Sequence, residues 1–235
     1  MKVTVDQAFW DLFPTARITV MSLYGIDNTV DEAKDPYFKE LLDKGAKRAW
    51  EFIDEENYTQ SEFVQEWRQA FSKFKTKKGA RSSIEALLKR VYQGREFYPI
   101  NPLVDLYNSV SMAYALPCGG EDMDKLVGGL SLGQAKGGEP FFPLGADEDA
   151  PALEGEIIYY DQEGAVCRCL NWREAQRTML TEDTKDAILV IEGINEEQAK
   201  RAQTAMQELK DLAKDYFGVE GTIYQLSAEH ASIEV

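Results

Sequence analysis

The apolar residues of this chain change character near residue 118, and that change limits the folds open to it. Upstream of Pro117 most of them recur every third or fourth position, the period of a helix with one buried face. Downstream they come in short runs broken by glycine, the mark of strands joined by tight turns. Helices and strands mixed without βαβ regularity predict an α+β fold with a mixed sheet and packed helices.

Within the first part, Val3, Val5, Phe9 and Trp10 and the run Ile18 to Leu23, stopped by Gly25, predict a β-element and a turn. Phe38, Leu41, Leu42, Ala46, Ala49, Trp50 and Ile53 then share one helical face behind Asp35 and Pro36. A second helix is expected from Thr59, with Glu62 completing a capping box and Phe63, Trp67, Ala70, Phe71 and Phe74 on its core side. Ser82 with Glu85 opens a third, closed by Gly94, and Asn101 with Pro102 a fourth that ends near Pro117. On that fourth helix Asp105 and Asn108 share one surface, with Ser111 a turn further. Beyond it, Leu126 to Leu132, Glu156 to Tyr160, Ala165 to Leu170, Ala187 to Ile191 and Thr222 to Leu226 read as strands, Arg173 to Leu180 as a short helix, and Asn195 as the cap of a long helix reaching about Phe217. The resulting division is an N-terminal, mainly helical layer with a short strand over 1–74, a main domain over 75–226, and a frayed tail over 227–235 that carries His230.

Composition narrows the function. At 235 residues the chain buries roughly 70% of its extended surface and needs no staple to fold. Its formal charge of -15 opposes a protein-wide grip on nucleic acid. The segment from Lys73 to Arg95 reverses the sign: Lys73, Lys75, Lys77, Lys78, Arg81, Lys89, Arg90 and Arg95 stand against Glu85 alone. That segment is either a solvated basic face or a local phosphate-binding surface. Three cysteines make no disulfide framework, the start has no signal-like block, and no apolar stretch reaches membrane-spanning length. A soluble cytoplasmic protein with no membrane contact is expected, its oligomeric state left open.

Candidate chemistry is sparse. One histidine, near the C-terminus, cannot assemble a zinc site of the usual composition, so no metal and no cofactor is expected. Cys167 and Cys169, two apart on a predicted strand, share a face as buried thiols or as a redox pair. Cys118, before Gly119 and Gly120, sits in a predicted flexible turn, as a structural thiol or a nucleophile without a nearby base. The series Gly128, Gly129, Gly133, Gly137 and Gly138 matches neither dinucleotide nor P-loop spacing. It serves either tight turns and close strand passage or a pocket lined by backbone groups. The polar residues around it are Asn108, Glu121, Asp124, Lys125, Glu139, Asn171, Arg173, Arg177 and Thr178, each of which also reads as a cap, an ion pair or solvated surface.

Five segments carry a family resemblance: NPLVDLYNSVS from Asn101 to Ser111, DMDK from Asp122 to Lys125, GEPFFPLG from Gly138 to Gly145, GEIIYYD from Gly155 to Asp161, and CRCLNWR from Cys167 to Arg173, continuing to Arg177 and Thr178. Together they resemble the B3/B4 domain found in the beta subunit of bacterial phenylalanyl-tRNA synthetase and in freestanding relatives, over roughly residues 75–225. The resemblance implies an α+β fold whose synthetase form hydrolyses tyrosine misattached to tRNA for phenylalanine, without metal, in a pocket between a helix and a glycine-rich sheet edge. One departure is plain. Where the synthetase pattern has a histidine after its proline, Pro117 is followed by Cys118-Gly119-Gly120, so neither the histidine's role nor tyrosine specificity carries over.

What the resemblance implies for this chain is trans-acting hydrolysis of misacylated aminoacyl-tRNA. An aminoacyl ester is already activated, and its hydrolysis needs a placed water, donors for the developing oxyanion and a pocket for the side chain. Asp124 or Glu139 would orient water, Lys125 or Arg177 would hold the amino-acid end or terminal phosphate, and amides near Gly128 and Gly129 would steady the tetrahedral state. Asn108, Glu121, Asn171, Arg173 and Thr178 would complete substrate binding, and Lys75, Lys77, Lys78 and Arg81 would meet the tRNA backbone. The alternative is a non-catalytic module that binds tRNA or an amino-acid derivative.

Overall fold

A chain with helical periodicity in one part and strand runs in another has two kinds of apolar face to bury. In the computed structural model, which describes residues 1–235, it does so with two sheets and six helices. In chain order these are β1 (Lys2–Val5), α1 (Gln7–Leu12), β2 (Arg17–Leu23), α2 (Asp35–Ala49), α3 (Glu62–Phe71), α4 (Ser83–Tyr92), α5 (Pro102–Tyr114), β3 (Cys118–Asp122), β4 (Leu130–Gln134), β5 (Ile157–Tyr160), β6 (Ala165–Arg168), β7 (Arg173–Glu174), β8 (Ala187–Gly193), α6 (Glu196–Phe217), β9 (Thr222–Leu226) and β10 (Ser232–Glu234). The fold is a mixed α+β arrangement, as the spacing predicts. No helix is long and apolar enough to cross a membrane.

The larger sheet has strand order β10-β1-β4-β5-β6-β7 and is antiparallel except for the parallel pair β1 and β4. The smaller has order β3-β8-β2-β9, all antiparallel, with β8 buried at every position. Alternation along β8 splits the core. Ile188 and Val190 pack with Val20, Leu130, Tyr159 and Cys167 between the sheets, while Leu189 and Ile191 pack with Leu106, Met206 and Leu209 beneath α5 and α6. Glu192 is in phase with Ile188 and Val190, and so belongs to the inter-sheet layer.

Caps set the helices that hold the smaller sheet. Asn101 Oδ1 accepts from the Val104 amide at 3.1 Å with Pro102 in the first turn of α5, and Asn195 Oδ1 accepts from the Gln198 amide at 2.8 Å at the start of α6. At α3 the expected box at Thr59 is replaced. Asn57 takes the Thr59 amide at 3.2 Å and its hydroxyl at 2.8 Å, which winds Tyr58–Gln60 into a 3-10 turn, and the helix begins after Ser61.

Other expectations change for backbone reasons. Phe9 and Trp10 lie on α1 rather than a strand, and the Trp10 indole N–H donates to the Val5 carbonyl at 3.2 Å. The segment Arg173 to Leu180 is not a helix but a short strand at Arg173–Glu174 followed by a turn at Gln176 to Thr178: Asp122 N donates to Thr178 O at 2.9 Å and Ala175 N to Val166 O at 2.8 Å, so neighbouring strands take groups a helix would pair internally. Cys118 to Gly120 is strand, not a flexible turn, because its backbone pairs with β8. The C-terminal residues do not fray. Ser232–Glu234 covers the open edge of β1, with Ile233 opposite Val3, and the Met1 ammonium donates to Val235 O at 2.6 Å.

The helical layer is fixed by one close crossing. A Cβ built on Gly45 of α2 would lie 2.4 Å from the Ser109 carbonyl oxygen of α5, so only glycine lets the two helices meet there. Gly45→Ala is expected to lower stability by about 1–3 kcal/mol, the usual effect of overpacking a tight contact. Urea unfolding followed by circular dichroism checks this, with wild-type stability in the variant counting against the crossing.

Candidate functional site

Where the two sheets diverge at the β3 edge they leave a cavity of about 350 Å³. Its walls come from α5 (Tyr107, Asn108), β3 (Cys118 to Glu121), the larger sheet (Leu130, Tyr159, Cys167), β8 (Val190, Glu192) and the segment Leu170 to Glu174. Leu144, exposed, and Ser83 stand at its rim. The wall segment is placed by an unusual turn: Cys169 and Leu170 take left-handed backbone at φ 48° and 64°, which swings Asn171 to Glu174 back across the sheet end.

Three carboxyl groups share this space. Glu121 and Glu192 are buried and Glu174 is half-buried, and none makes an ion pair within 4.0 Å. Glu192 Oε1 accepts from the Tyr159 hydroxyl at 2.9 Å, and Glu192 Oε2 from the Asn171 amide nitrogen at 3.4 Å. Burial pushes Glu192 up to about 7, with the Tyr159 hydrogen bond opposing. Burial likewise raises Glu174 to about 7, against a bond from the Gly120 amide. Glu121 is raised well above the carboxylate range by burial and then by the charge of Glu174. Glu121 Oε2 and Asn171 Oδ1 are buried without a hydrogen-bond partner. The cavity therefore has three carboxyl groups in its wall, of which Glu174 and Glu192 are held near 7.

The thiols are a different matter. Burial and then the charges of Glu192 and Glu174 hold Cys118 well above its ordinary value, and burial with Glu174 and Glu121 does the same for Cys167. Both stay protonated, so neither is an activated nucleophile. Cys169 leaves the strand face of Cys167 at the left-handed turn and does not reach the cavity. No group of three or more His, Cys, Asp or Glu is disposed to hold a metal ion.

The expected site residues divide. Asn108, Glu121, Asn171 and Arg173 line the cavity together, Arg173 at its mouth with its guanidinium 5.1 Å from the Trp172 ring centre. The three residues assigned catalytic work stand outside. Asp124 is exposed in the 3-10 turn Met123–Lys125, Lys125 Nζ lies 3.4 Å from Asp122 Oδ2, and Glu139 binds the Lys136 amide at 2.6 Å and the Gly137 amide at 3.0 Å. Chain neighbours thus supply the partners of Lys125 and Glu139. Arg177 is committed to Asp161 at 2.7 and 2.8 Å and to the Lys125 carbonyl at 3.0 Å, and Thr178 is buried beside β3. Gly128 and Gly129, at φ 74° and 104°, serve strand passage: a Cβ on Gly129 would meet the Lys2 carbonyl at 2.4 Å. Asp105 and Ser111 are internal too, Asp105 accepting twice from the Ile100 amide at 3.0 Å and Ser111 donating to Leu116 O.

Sequence reading missed Glu174, Glu192, Tyr107 and Tyr159. A signal existed for Glu192, an ionisable residue in phase with the buried face of an apolar strand. Glu174 was hidden by the helix expected over its segment. The basic residues Lys75, Lys77, Lys78 and Arg81 are exposed in the loop before α4, and the loop joins the cavity directly, since the Ser83 amide donates to Asn171 O at 3.1 Å.

The sequence profile of the B3/4 domain matches residues 66–221, well over half of the chain. The chain belongs to the B3/4 domain family. None of the curated proteins compared with it matches. Among solved structures it is similar to an N-terminal fragment of the phenylalanyl-tRNA synthetase beta-subunit from Pyrococcus horikoshii, at 13% identity and a TM-score of 0.45, over 95% of this chain and 53% of that one. The chain thus spans about half the length of that fragment.

The raised carboxyls make stability depend on pH. A Glu held at about 7 against an ordinary 4.5 binds a proton in the folded state that the unfolded chain has lost. Its contribution is intact below 4.5, is lost as pH rises through the folded value, and changes no further above it. Glu192→Gln removes that loss, and Asn171 can turn its free oxygen toward the new amide. The variant is expected to gain about 1–3 kcal/mol over wild type at alkaline pH and nothing in acid. Denaturant melts across the range check this, and a gain independent of pH would contradict it.

Proposed function

We propose that this chain hydrolyses the ester of misacylated aminoacyl-tRNA in trans, within the cavity at the β3 edge. The observation that carries the reading is the unpaired cluster of Glu121, Glu174 and Glu192 in a chamber of about 350 Å³, entered beside an exposed basic loop. B3/4 family membership and the motifs that resemble editing domains support it. In this reading Glu192, held by Tyr159 and Asn171, accepts the substrate's α-ammonium. Glu174, near 7, takes a proton from the attacking water. Water adds to the ester carbonyl carbon, the tetrahedral state expels the terminal ribose oxygen, and that oxygen takes up a proton to leave free amino acid and uncharged tRNA. Arg173 and the half-exposed Trp172 at the mouth receive the terminal nucleotide by charge and stacking.

The test is release of amino acid from a panel of correctly and incorrectly charged tRNAs, with and without chelator. Selective, chelator-resistant release is expected. Glu174→Gln should slow it by about 10²–10⁴, the usual worth of a general base, while Asp124→Asn leaves it unchanged. Folded protein that binds charged tRNA but releases nothing would replace this reading with a binding module, for which Cys118 in the place of the family histidine is the motivation.

A further inference from the structure

With Glu192 on the α-ammonium and Glu174 on the attacking water, the third carboxyl of the cavity has no task. Glu121 stands opposite Ile188 in the β3–β8 pairing, so its side chain shares the inter-sheet face with Val190 and Glu192. It is 6% exposed and lines the cavity; its Oε2 is enclosed without a partner, which makes Oε1 the oxygen presented to a ligand. A second polar group, on a different element, is in the same condition. Tyr107 of α5 is 7% exposed and lines the cavity, and its hydroxyl makes no hydrogen bond yet is not among the enclosed atoms, so it opens on that space. The Tyr159 hydroxyl, by contrast, is taken by Glu192. Burial raises the Tyr107 hydroxyl well above its ordinary value and the charges of Glu174 and Glu121 add to this, which makes the three groups neighbours. Polar groups this buried are normally paired within the fold, so a partner for Glu121 and Tyr107 has to arrive with a ligand.

The charge and shape of the wall decide the kind of ligand. Glu121, Glu174 and Glu192 line it, and its only cationic residue is Arg173, exposed at the mouth with its guanidinium beside the Trp172 ring. The other charged groups acting on Glu121, Arg177 and Asp161, are bound to each other at 2.7 and 2.8 Å. Burial, and then the charge of Glu174, therefore keep Glu121 protonated until a cation comes close. Leu130, Leu170 and Val190 make the rest of the wall aliphatic. An aliphatic stem that ends in a cation suits both parts: the stem packs on these three side chains, and the charged end meets Glu121 Oε1 and the Tyr107 oxygen while the carboxyl gives its proton to solvent. An anionic side chain is repelled, an apolar one leaves the carboxyl and hydroxyl unpaired, and a neutral polar one leaves the repulsion among the carboxyls in place.

We propose that this cavity selects an amino-acid group with a basic side chain, whose cationic end is held by Glu121 with the Tyr107 hydroxyl as a second, uncharged acceptor. The proposal rests on the hydrolase reading for the ester that the amino acid carries. Recognition of the side chain requires no hydrolysis, so it is measurable by itself.

Amides of single amino acids bind without offering an ester to cleave. Lysinamide and norleucinamide share the α-ammonium and the straight aliphatic stem and differ in the terminal ammonium. Calorimetric titration of the full-length protein near neutral pH is expected to show lysinamide binding about tenfold or more tighter than norleucinamide. Repeated in buffers of different ionisation heat, it should show about one more proton released per lysinamide than per norleucinamide. Glu121→Gln should remove both the preference and the extra proton while still binding norleucinamide, which also shows that the variant is folded. Tyr107→Phe should weaken lysinamide alone, and it carries the test if Glu121→Gln does not fold. Equal binding of the two amides, binding of neither at millimolar concentration, or a preference that survives Glu121→Gln overturns the proposal. A lysinamide preference in a protein that deacylates no charged tRNA supports this recognition and removes the hydrolase. Deacylation confined to tRNAs charged with neutral amino acids keeps the hydrolase and overturns the selection of a basic side chain.

Discussion

The arrangement around the carboxyl-lined cavity hangs on one buried ion pair. Arg168, at the end of β6, bonds Glu156 through two nitrogens, Nε to Oε2 at 2.9 Å and Nη2 to Oε1, and donates through Nη1 to the Ala150 carbonyl. Both side chains are fully enclosed, with the guanidinium 5.7 Å from the Phe141 ring centre. Taking two charges from water costs several kcal/mol each, and only this geometry repays it, so the pair specifies position more than it adds stability. What it positions is the chain on either side: the loop that brings Leu144 to the cavity rim, and the left-handed pair Cys169 and Leu170. Left-handed backbone at two non-glycine residues costs about 1–3 kcal/mol each and persists only where neighbours fix it. Here the Leu170 amide donates to Ile157 O at 2.6 Å and the Trp172 amide to Arg168 O at 3.1 Å.

That turn is the reason the acid cluster exists. It carries Glu174 across the sheet end to face Glu121 on β3 and Glu192 on β8, three elements distant in sequence. A Cβ on Gly119 would lie 3.2 Å from Glu174 Oε1, so the glycine leaves that carboxyl its room. Carboxyls brought this close in an enclosed space cannot all ionise, and burial with mutual repulsion spreads their titration toward neutrality. The cavity and the basic loop then meet at Ser82 and Ser83. An acidic chamber and a positively charged approach lie side by side in a protein whose overall charge favours neither nucleic acid nor any other polyanion.

Much of the fold was legible before the structure. Asn101 with Pro102 and Asn195 located their helices because a cap and a first-turn proline are local chemistry. Ala187 to Ile191 was legible as a strand because its apolar run is buried on both faces. Thr59 misled because Asn57, two residues earlier, competed for the same amide. Arg173 to Leu180 misled because its apparent helical spacing was overruled by backbone partners on β3 and β6. The same limit explains the site. Of the residues expected at the site, Asn108, Glu121, Asn171 and Arg173 line one cavity, while Asp124, Lys125 and Glu139 stand outside it, because the distance between segments is set by the fold and not by the motifs.

The sequence alone determined the class of fold, the helix boundaries set by caps, the sign reversal between Lys73 and Arg95, and the family motifs, since each is a matter of periodicity, local hydrogen bonding or composition. Tertiary structure alone decided which carboxyls share a cavity, that the thiols remain protonated, and that the Trp67 indole N–H and the Ser82 hydroxyl are buried without partners. Those properties depend on burial and on the approach of groups far apart in the chain. Desolvation and through-space charge have no period along a sequence, so only the folded arrangement fixes them.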